Sequence, residues 1–505
     1  MEEITETGKL KLLENLKEDF PEVLTRLLNI EGLGPERVGD IHKKLGIKTI
    51  KDLEKALKEG KIQELHGFGE KITAKIKNAL EDGITEQQRT KFQIAEQYVE
   101  PLLNYLRKDP NTEKVSVAGS YRRRKETVRD IDILATGKKG EKIIKRFTKY
   151  EEVVEIVSAG ETKSTVKLRT GMQVDLRVVE KESYGAAMQY FTGSKNHNIK
   201  LRNIALKKNF KLNEYGLFKA KNRVAGETEE EIYKKLNLRH IPPEIREDRG
   251  EVEAAQRGDL PELIELDNLR GDLQMHSTDS DGTESIEAMA KKCQKLGYEY
   301  IAITDHSAYI GITQGLDKQG VENQIQKIKK LNKELDKITI LTSIEVDIMK
   351  DGSLDLPNES LEKLDIVTCA IHSHFNLPPE EQTKRILTAM DNPYFNVFGH
   401  PTGRIIGGRK GYEYDMEKVL KKAKERNCFM EINAQPDRLD LNDTYAKMAK
   451  ELGVMLTIST DAHSLMELDF MKYGVNQARR GWLSKENVLN TFTLDKLKEQ
   501  LAKKQ

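Results

Sequence analysis

The sequence lacks the features of a membrane or secreted protein. Hydrophobic side chains make up 37% of its 505 residues and charged ones 33%, and no stretch approaches the roughly eighteen consecutive apolar residues that a membrane-spanning helix needs. The acidic beginning, MEEITETGK, is neither a signal nor a transit peptide. The only three cysteines are too far apart for a disulfide framework and fit a reducing compartment: Cys293, Cys369 and Cys428. The sequence therefore predicts a cytoplasmic protein that does not meet a membrane.

The chain also has almost no net charge, but its two halves differ in sign. The formal charge at pH 7 is +1. Residues 1–243 carry 48 Lys and Arg against 38 Asp and Glu, whereas residues 244–505 carry 36 against 45, and six of the ten histidines follow residue 270. This asymmetry indicates two kinds of module, the first of which is suited to a polyanion.

The length suggests about three domains, and one boundary is visible. No low-complexity tract occurs along the chain. Pro242 and Pro243 open a stretch that is dense in charge. We predict that residues 244–268 form an interdomain connection with some helix.

A short glycine motif occurs twice near the N-terminus. Gly32 and Gly34 stand in IEGLG, Gly67 and Gly69 stand in LHGFG, and a helical pattern follows each motif. In a helix-hairpin-helix, such a turn lets backbone N–H groups approach a phosphate where a Cβ would obstruct them. The alternative is an ordinary helical hairpin with a glycine turn. Two copies ahead of the sequence described next favour non-specific, salt-sensitive binding to the DNA backbone.

Three aspartates lie on predicted strands after this helical region. Asp130 and Asp132 are two residues apart and share one face of a strand, and Asp175 alternates with apolar residues in VDLRV. Carboxylates on adjacent strands suit two divalent ions that hold a hydroxyl and a triphosphate, and Mg²⁺ favours such oxygen ligands. Upstream, Ser120 and Arg123 offer a hydroxyl and a guanidinium to phosphate oxygens. The alternative is a set of solvated aspartates beside a surface patch of arginines.

The order of the motifs favours the first interpretation. GSYRR, DID, VDLR, YFTGS and LNEYG follow one another within residues 6–243, and this series resembles the family X DNA polymerases, whose palm has the beta-type nucleotidyltransferase fold. The resemblance implies that Asp130, Asp132 and Asp175 bind Mg²⁺ or Mn²⁺ and that Asp175 activates the primer 3′-hydroxyl. The implied nucleotide-binding residues are Gly119, Ser120 and Arg123 at the triphosphate, Tyr190, Phe191 and Gly193 beside the sugar and base, and Asn198 and Arg202 at the minor-groove edge.

The chain departs from that family at several positions. Arg129 and Arg124 stand where the family has glycine, and Lys195 and His197 replace an acidic and an aromatic residue of animal members. We expect these differences to affect nucleotide selectivity rather than the chemistry. The beginning, ETGKLKLLENL, resembles the tail of the family's amino-terminal domain. We therefore expect an N-terminally shortened member with weak or missing 5′-phosphate binding and lyase chemistry.

The second half repeats a short apolar strand that ends in a ligand-type residue and is followed by a helical stretch. Seven such units predict a parallel sheet, most simply closed into a barrel with its active site at the carboxyl ends of the strands. A single histidine at a strand end is usually structural, but here five strand ends carry one, together with carboxylates. A multinuclear metal centre explains this clustering, because imidazole suits zinc and carboxylates bridge ions or suit manganese.

Residues 269–480 resemble the PHP (polymerase and histidinol phosphatase) family. The resemblance implies three metal positions, formed by His276, Glu345 and Asp461, by Glu345, His372 and His400, and by Asp281, His306 and His463. The family usually begins with His-x-His, whereas this chain has Gln274 two residues before His276. We expect this neutral oxygen to alter the occupancy or metal preference of the first position. Arg404 is a candidate for binding substrate phosphate; the alternative is an arginine at a helix start.

These observations predict a multidomain fold. Its parts are an α-helical helix-hairpin-helix region (1–84), an α+β nucleotidyltransferase palm (85–180), a thumb-like subdomain (181–243), the connection (244–268) and an α/β PHP barrel of the (β/α)7 type (269–505). The order of modules resembles the bacterial and archaeal PolX-type polymerases. It implies gap-filling synthesis in DNA repair, and a metal-dependent 3′→5′ exonuclease or related 3′-end phosphoesterase at a trinuclear Zn²⁺ or Mn²⁺ centre.

The expected partners are gapped or primer–template DNA and dNTPs, bound by a monomer. A second hypothesis is a PHP phosphoesterase or nuclease whose inactive polymerase half serves as a DNA-binding platform. A third, a purely non-catalytic DNA-binding module, requires both metal constellations to be vestigial, although almost all their ligands are present.

Overall fold

The structure, a computed structural model, describes residues 27, 33, 35–65, 67–81, 89–309 and 314–502. The chain separates into two units, Met1–Arg89 and Thr90–Gln505. In the described ranges, no helix is both long and apolar enough to span a membrane.

The first unit is helical around a small apolar core. Its helices are α1 (Pro35–Leu45), α2 (Ile50–Lys58) and α3 (Glu70–Glu81). Ile41, Leu53 and Phe68 are among the buried side chains of this core. Thr49 begins α2 with a capping box, in which its hydroxyl accepts from the Asp52 backbone N–H. The turn before α3 contains Gly67 with φ +86°, a conformation that favours glycine. Gly32 and Gly34 lie outside the described residues.

The second unit begins with a sheet covered by helices, the α+β palm. Its strands are β1 (Thr90–Lys91), β2 (Lys114–Val117), β3 (Thr127–Val128), β4 (Asp130–Thr136), β5 (Val153–Ala159), β6 (Lys163–Leu168) and β7 (Gln173–Val178). Its helices are α4 (Phe92–Arg107), α5 (Gly119–Arg122) and α6 (Gly140–Phe147). Five strands form one sheet in the order β2-β4-β7-β6-β5, in which β4 and β7 are parallel. Alternate residues of β7 are buried, as the sequence pattern predicts.

The thumb follows the palm and includes the charge-dense connection. Its elements are α7 (Tyr184–Thr192), α8 (Lys195–Lys207), β8 (Lys211–Asn213), β9 (Gly216–Lys219), β10 (Asn222–Ala225), α9 (Glu229–Lys235) and α10 (Glu251–Arg257). Residues of the connection, including Ile245 and Val252, belong to the same hydrophobic core as Leu201 and Tyr233. The connection is therefore a packed part of the thumb, and α10 is its helix.

A buried ion network joins the connection to the rest of the thumb. Arg246 is completely buried, and its Nη1 donates to Glu229 Oε1 at 2.6 Å. Arg122 donates to the same carboxylate at 2.5 Å from Nη2 to Oε2. Burial alone would raise the pKa of Glu229, but Arg246, His240 and Arg122 hold it well below its usual range.

The last part of the chain is a parallel barrel with helices around it, which confirms the predicted fold. The strands are β11 (Gly271–Asp272), β12 (Tyr300–Ile303), β13 (Thr339–Asp347), β14 (Ile366–Ala370), β15 (Val397–Phe398), β16 (Phe429–Asn433) and β17 (Leu456–Ser459). The helices are α11 (Ile286–Lys295), α12 (Lys318–Glu334), α13 (Asn358–Leu361), α14 (Pro379–Met390), α15 (Met416–Arg426), α16 (Asp443–Glu451), α17 (Met471–Arg480) and α18 (Leu494–Ala502). The seven strands pair in sequence order, and a parallel bridge between Met275 and Ala462 joins the first to the last.

Two side chains of the barrel enter the hydrophobic core of the palm, and ion pairs and hydrogen bonds join the two modules. Leu439 and Tyr473 of the barrel are buried in the palm core. Lys91 of β1 pairs with Asp437 at 2.5 Å. Arg480 of α17 is buried and donates to the backbone oxygen of Arg123 at 2.7 Å. The barrel therefore packs directly on the polymerase-like half of this unit.

The buried network generates a stability prediction. We expect Glu229→Gln to lower the free energy of unfolding of the thumb by about 3–5 kcal/mol, because Arg246 would remain buried without a full counter-charge. Urea unfolding followed by the fluorescence of Trp482, the single tryptophan and a member of the thumb core, measures this change. Asp259→Asn is the matched control, since Asp259 pairs with Arg257 in solvent and should change stability by less than about 1 kcal/mol.

The effect of Glu229→Gln on the free energy of unfolding should decrease in acid. The pKa of Glu229 is depressed, so the stabilisation given by its ionised carboxylate is complete above the ordinary value of 4.5 and declines as pH falls below that value. If the free energies of unfolding of Glu229→Gln and the unmodified chain differed by the same amount at pH 7 and at pH 4, the ionised state assigned to Glu229 would be wrong.

Candidate metal centres

The three palm aspartates lie together at one edge of the sheet. Asp132 of β4 is directly opposite Asp175 of β7 in the parallel ladder, and Asp130 lies two residues before Asp132 on the same face. Asp175 is held by hydrogen bonds from the hydroxyl of Thr165 and from Gln173 Nε2, the latter at 2.8 Å. The strands thus bring the predicted carboxylates to one place, as the spacing of the sequence predicts.

Electrostatics make this edge a site for cations. Burial, followed by the charges of Asp130 and Asp175, raises the pKa of Asp132 to about 7. Arg129, at the position where the family has glycine, reaches Asp130 at 3.2 Å while its own side chain is 59% exposed. The carboxylates are less tightly gathered than those of the barrel. Among described residues, the groups of three or more that bring ligand atoms within 4.8 Å of one another all lie in the barrel.

Glycine is required beside the palm aspartates. Gly119 has φ +61°, and a Cβ at this position would lie 2.3 Å from Asp132 Oδ2. Ser120 follows in α5, partly exposed. Arg123 is engaged, since its Nε lies 3.0 Å from Glu247 Oε1 and its Nη1 donates to the backbone oxygen of Thr192.

The other predicted nucleotide residues are spread over α7 and α8. Tyr190 and Phe191 are partly exposed, with ring centroids 5.1 Å apart. A Cβ on Gly193 would lie 3.2 Å from Arg123 Nη1, so this glycine lies next to the arginine that is predicted to bind triphosphate. Asn198 is mostly buried and donates to the backbone oxygen of Tyr190 at 2.6 Å, whereas Arg202 is exposed.

His197 is a buried structural residue and is not exposed among the predicted nucleotide-binding residues. It is fully buried, with Nδ1 2.7 Å from Glu251 Oε1 and Nε2 2.9 Å from the hydroxyl of Tyr233. Burial lowers the pKa of His197 despite the adjacent carboxylate. This residue therefore ties α8 to α10.

The barrel brings its predicted ligands together at the carboxyl ends of the strands. Glu345, at the end of β13, is the centre of this cluster. Its Oε1 lies 2.9 Å from His400 Nε2 and 3.4 Å from His372 Nε2. Its Oε2 lies 3.4 Å from His276 Nε2 and 3.6 Å from His306 Nδ1. Four imidazoles from four strand ends thus surround one buried carboxylate.

A second carboxylate group extends the cluster toward solvent. Asp281 lies within 3.6 Å of both His276 and His306, and within 3.5 Å of His463 Nε2. Asp461 Oδ1 lies 3.1 Å from His276 Nε2. The eight predicted ligands therefore form one continuous centre.

The ligand groups match the predicted sets in large part. One group is the predicted set of His276, Glu345 and Asp461. A second combines Glu345 and His372 with His306, and the third adds His276 to Asp281, His306 and His463. His400 stands outside these groups, although it lies within hydrogen-bond distance of Glu345.

The buried atoms of this cluster fit metal ions. Nitrogen atoms of three histidines are buried without a hydrogen-bond partner: His276 Nδ1, His306 Nδ1 and His400 Nδ1. Uncompensated polar atoms are costly to bury, and metal coordination satisfies them. Burial alone would raise the pKa of Glu345, but the surrounding imidazoles hold it well below its usual range. The pKa of His276 is raised by Asp461 and Glu345 against the effect of burial, so metal binding displaces protons.

Gln274 stands at the strand end next to His276. Its side chain is completely buried, and both its amide oxygen and its amide nitrogen lack a hydrogen-bond partner. A Cβ on Gly399, the residue before His400, would lie 3.4 Å from Gln274 Oε1. The amide oxygen is therefore free to serve as a neutral metal ligand.

Two carboxylates outside the predicted ligand sets lie beside the ligand histidines. Asp347 Oδ1 lies 3.3 Å from His372 Nδ1, and with Glu345 it raises the pKa of His372 to about 9 although burial opposes this. Glu431, fully buried, accepts from the backbone N–H of His400 at 2.6 Å, and burial raises its pKa. A carboxylate behind a ligand histidine fixes its orientation. Only a folded barrel brings these pairs together.

Arg404 and Arg438, two arginines of the barrel, differ in their environments. Arg404, predicted to bind phosphate, is not at a helix start; it pairs with Glu126 of the palm at 2.7 Å and donates to the backbone oxygen of Leu439. Arg438, which the sequence does not single out, lies with its Nε 3.8 Å from Asp461 Oδ2.

Three family profiles match parts of the chain. They are a SAM-like helix-hairpin-helix tandem over residues 24–82, a DNA polymerase beta thumb over 187–247 and a PHP domain over 272–435. A solved ternary primer–template complex of Leishmania infantum polymerase beta covers 45% of this chain and 98% of its own, at 21% identity. Its TM-score of 0.30 is too low for a structural argument.

Relatives match either the whole chain or the barrel. A probable phosphatase of Thermoanaerobacter sp. is 33% identical over 230 residues, which are 44% of this chain and 89% of the relative. The DNA polymerase/3′-5′ exonuclease PolX of Bacillus subtilis is 40% identical over 502 residues, which are 98% of this chain and 87% of the relative. With this identity along nearly its whole length, and with a polymerase-type thumb and a PHP barrel in one unit, the chain belongs to the PolX family.

Proposed function

We propose that the chain is a DNA polymerase that fills short gaps during DNA repair and that removes nucleotides from 3′ ends at its PHP barrel. The observation that carries the proposal is the presence of both ligand sets in one chain: three aspartates on β4 and β7, and four histidine side chains around Glu345. The proposed substrates are gapped or primer–template DNA and dNTPs, and the proposed active form is a monomer in the cytoplasm.

The palm residues have distinct roles in this proposal. Asp130, Asp132 and Asp175 hold Mg²⁺ or Mn²⁺, which neutralises triphosphate charge and favours ionisation of the primer 3′-hydroxyl. Asp175, steadied by Thr165 and Gln173, is the carboxylate toward the primer. Ser120 and Arg123, on the Gly119 turn, bind triphosphate oxygens.

Tyr190, Phe191 and Gly193 line the sugar and base, and Asn198 and Arg202 extend toward the minor groove. Asn198 also holds the backbone of Tyr190 in place through a hydrogen bond to its backbone oxygen.

The barrel residues divide into a deep and an outer group. His276, His306, Glu345, His400 and Asp461 are the deep ligands, and Asp281, His372 and His463 are nearer the surface. A trinuclear Zn²⁺ or Mn²⁺ centre supplies a hydroxide near neutral pH for phosphodiester hydrolysis. Asp347 orients the ring of His372, and Glu431 holds the backbone of His400.

The first unit is proposed to hold the DNA backbone through its glycine turns. Gly67 and Gly69 precede α3, and the first N–H groups of a helix lack partners within the helix and can bind a phosphate. A Cβ at Gly69 would meet nothing within 4 Å, so this turn is open to a ligand. Gly32 and Gly34 of the first motif have the same proposed role.

One contact favours the second hypothesis, a barrel nuclease with an inactive polymerase half. Arg129 lies 3.2 Å from Asp130 and competes with a cation for that carboxylate. The arginine is more than half exposed and free to move aside, so we prefer the active polymerase.

Separable variants test the two sites. We expect Asp130→Asn with Asp132→Asn to lower primer extension roughly 10³-fold or more, because two metal ligands are lost, and to leave degradation within about twofold. His372→Ala should have the opposite effect. Both activities are read from one labelled primer on a gapped template, with and without dNTPs. Loss of both activities in either variant would contradict two independent sites, and absence of extension by the unmodified chain would favour the second hypothesis.

The polymerase site should respond to pH through Asp132. Because the pKa of its carboxyl is about 7 without metal, protons compete with Mg²⁺ below that pH. The Mg²⁺ concentration for half-maximal extension should be constant above about pH 8 and rise about fivefold between pH 7 and pH 6. Titrations of extension against Mg²⁺ at each pH measure it. A half-saturating concentration that stays flat through this range would be inconsistent with a raised pKa.

Gln274 should set metal preference in the barrel. Gln274→His is expected to increase zinc affinity by about tenfold or more, since imidazole is a better zinc ligand than an amide oxygen. Zinc and manganese per chain, measured by plasma mass spectrometry after dialysis against both ions, report this shift. Gln274→Asn retracts the amide and serves as the control. Identical zinc content in all three proteins would exclude Gln274 from the metal shell.

A further inference from the structure

We propose that Arg438 binds the phosphate of the DNA strand that is cleaved at the barrel centre, a role that rests on the proposed nuclease function. Hydrolysis there adds water at phosphorus and breaks the P–O3′ bond. The released nucleotide keeps the phosphate as a 5′-monophosphate, and the shortened strand keeps a protonated 3′-hydroxyl. A guanidinium beside the metal ligands would add directed donors that orient the charged phosphate.

The position of Arg438 is beside a metal ligand and open to solvent. Its side chain is 25% exposed, and its Nε lies 3.8 Å from Asp461 Oδ2. This distance is an ion pair without a hydrogen bond. Asp461 Oδ2 already accepts from Asn433 Nδ2 at 3.0 Å, and Asp461 Oδ1 lies 3.1 Å from His276. Arg438 is therefore not required to satisfy this carboxylate.

The other arginines near the centre are committed elsewhere. Arg404 is paired with Glu126 of the palm. Arg409 donates from Nε and Nη2 to the backbone oxygen of Gly403. Arg385 is buried and donates to backbone oxygens of residues 348, 349 and 373. In the part of the chain that the structure describes, the guanidinium of Arg438 forms no hydrogen bond, so its planar set of donors is available to a phosphate.

The loop that carries Arg438 is fixed on both sides. Toward the metal centre, Gln435 Nε2 donates to the backbone oxygen of Asp461 at 2.9 Å. Toward the palm, Asp437 pairs with Lys91 at 2.5 Å and Leu439 is buried in the palm core. Asp440 accepts from the backbone N–H groups of Thr402 and Gly403, both at 2.9 Å. The anchored loop holds the Arg438 side chain near its working position before substrate binds.

The test compares Arg438→Gln and Arg438→Lys with the unmodified, metal-loaded chain. Calorimetry of dAMP binding and inhibition of single-strand degradation by dAMP give the affinity for the product phosphate. We expect Arg438→Gln to weaken dAMP binding by roughly 10- to 100-fold, as expected for a lost charge-assisted hydrogen bond. Arg438→Lys should lose less dAMP affinity, because the ammonium keeps the positive charge and loses only the bidentate geometry. Metal content and primer extension should not change.

Arg426→Gln is the matched control, because Arg426 is exposed and pairs with Asp391 on the outside of the barrel. Unaltered dAMP affinity in Arg438→Gln would overturn the proposal. A fall in bound metal, with normal dAMP affinity in the loaded fraction, would also overturn it and assign Arg438 to holding Asp461. Absence of degradation by the unmodified chain would instead refute the nuclease function, while calorimetry would still report whether Arg438 binds phosphate.

Discussion

The rest of this structure depends on one constraint. Carboxylates of like charge must be held a few ångströms apart at the ends of neighbouring strands. The β4–β7 ladder sets Asp132 against Asp175, and β13 carries Glu345 into the middle of the barrel. Burial and mutual repulsion both disfavour such arrangements. The fold compensates with apolar strands behind the carboxylates and with fixed donors beside them, such as Gln173 and Asn433. Divalent cations, where bound, would complete the balance of charge and link metal binding to the folding of these edges.

The two centres also share supporting structure. The loop after β16 contacts the metal ligand Asp461 through Gln435 and enters the palm core through Leu439. Arg480 of α17 pairs with Glu247, and Glu247 pairs with Arg123, the residue proposed to bind triphosphate. Residues of the barrel therefore contact the edge of the palm that carries Arg123, and the palm core holds the loop that contacts Asp461. The two edges are thus joined by buried contacts.

Sequence patterns predicted which side chains lie together at a strand edge better than they predicted the partners of single residues. Alternation and spacing predicted that Asp130, Asp132 and Asp175 share an edge and that the strand-end histidines of the barrel cluster, because short periodicities determine which side chains share a face. The same patterns do not reveal a neighbour that is distant in sequence. Arg404 was expected at a phosphate and is bound to Glu126, 278 residues away. His197, expected near the base, is buried against Glu251, and Arg246, in a stretch read as a connection, is an interior residue of the thumb. Such pairings depend on tertiary packing, which local composition does not encode.

The burial of Leu439 and Tyr473 in the palm core bears on whether the two modules can exist apart. A barrel without its palm would expose both side chains, together with the partly buried Ile406 and Phe470, as one apolar surface. A palm without its barrel would expose the apolar side chains that these four residues cover. Each module therefore shields the other from water, and loss of either one carries a cost in solubility for the one that remains.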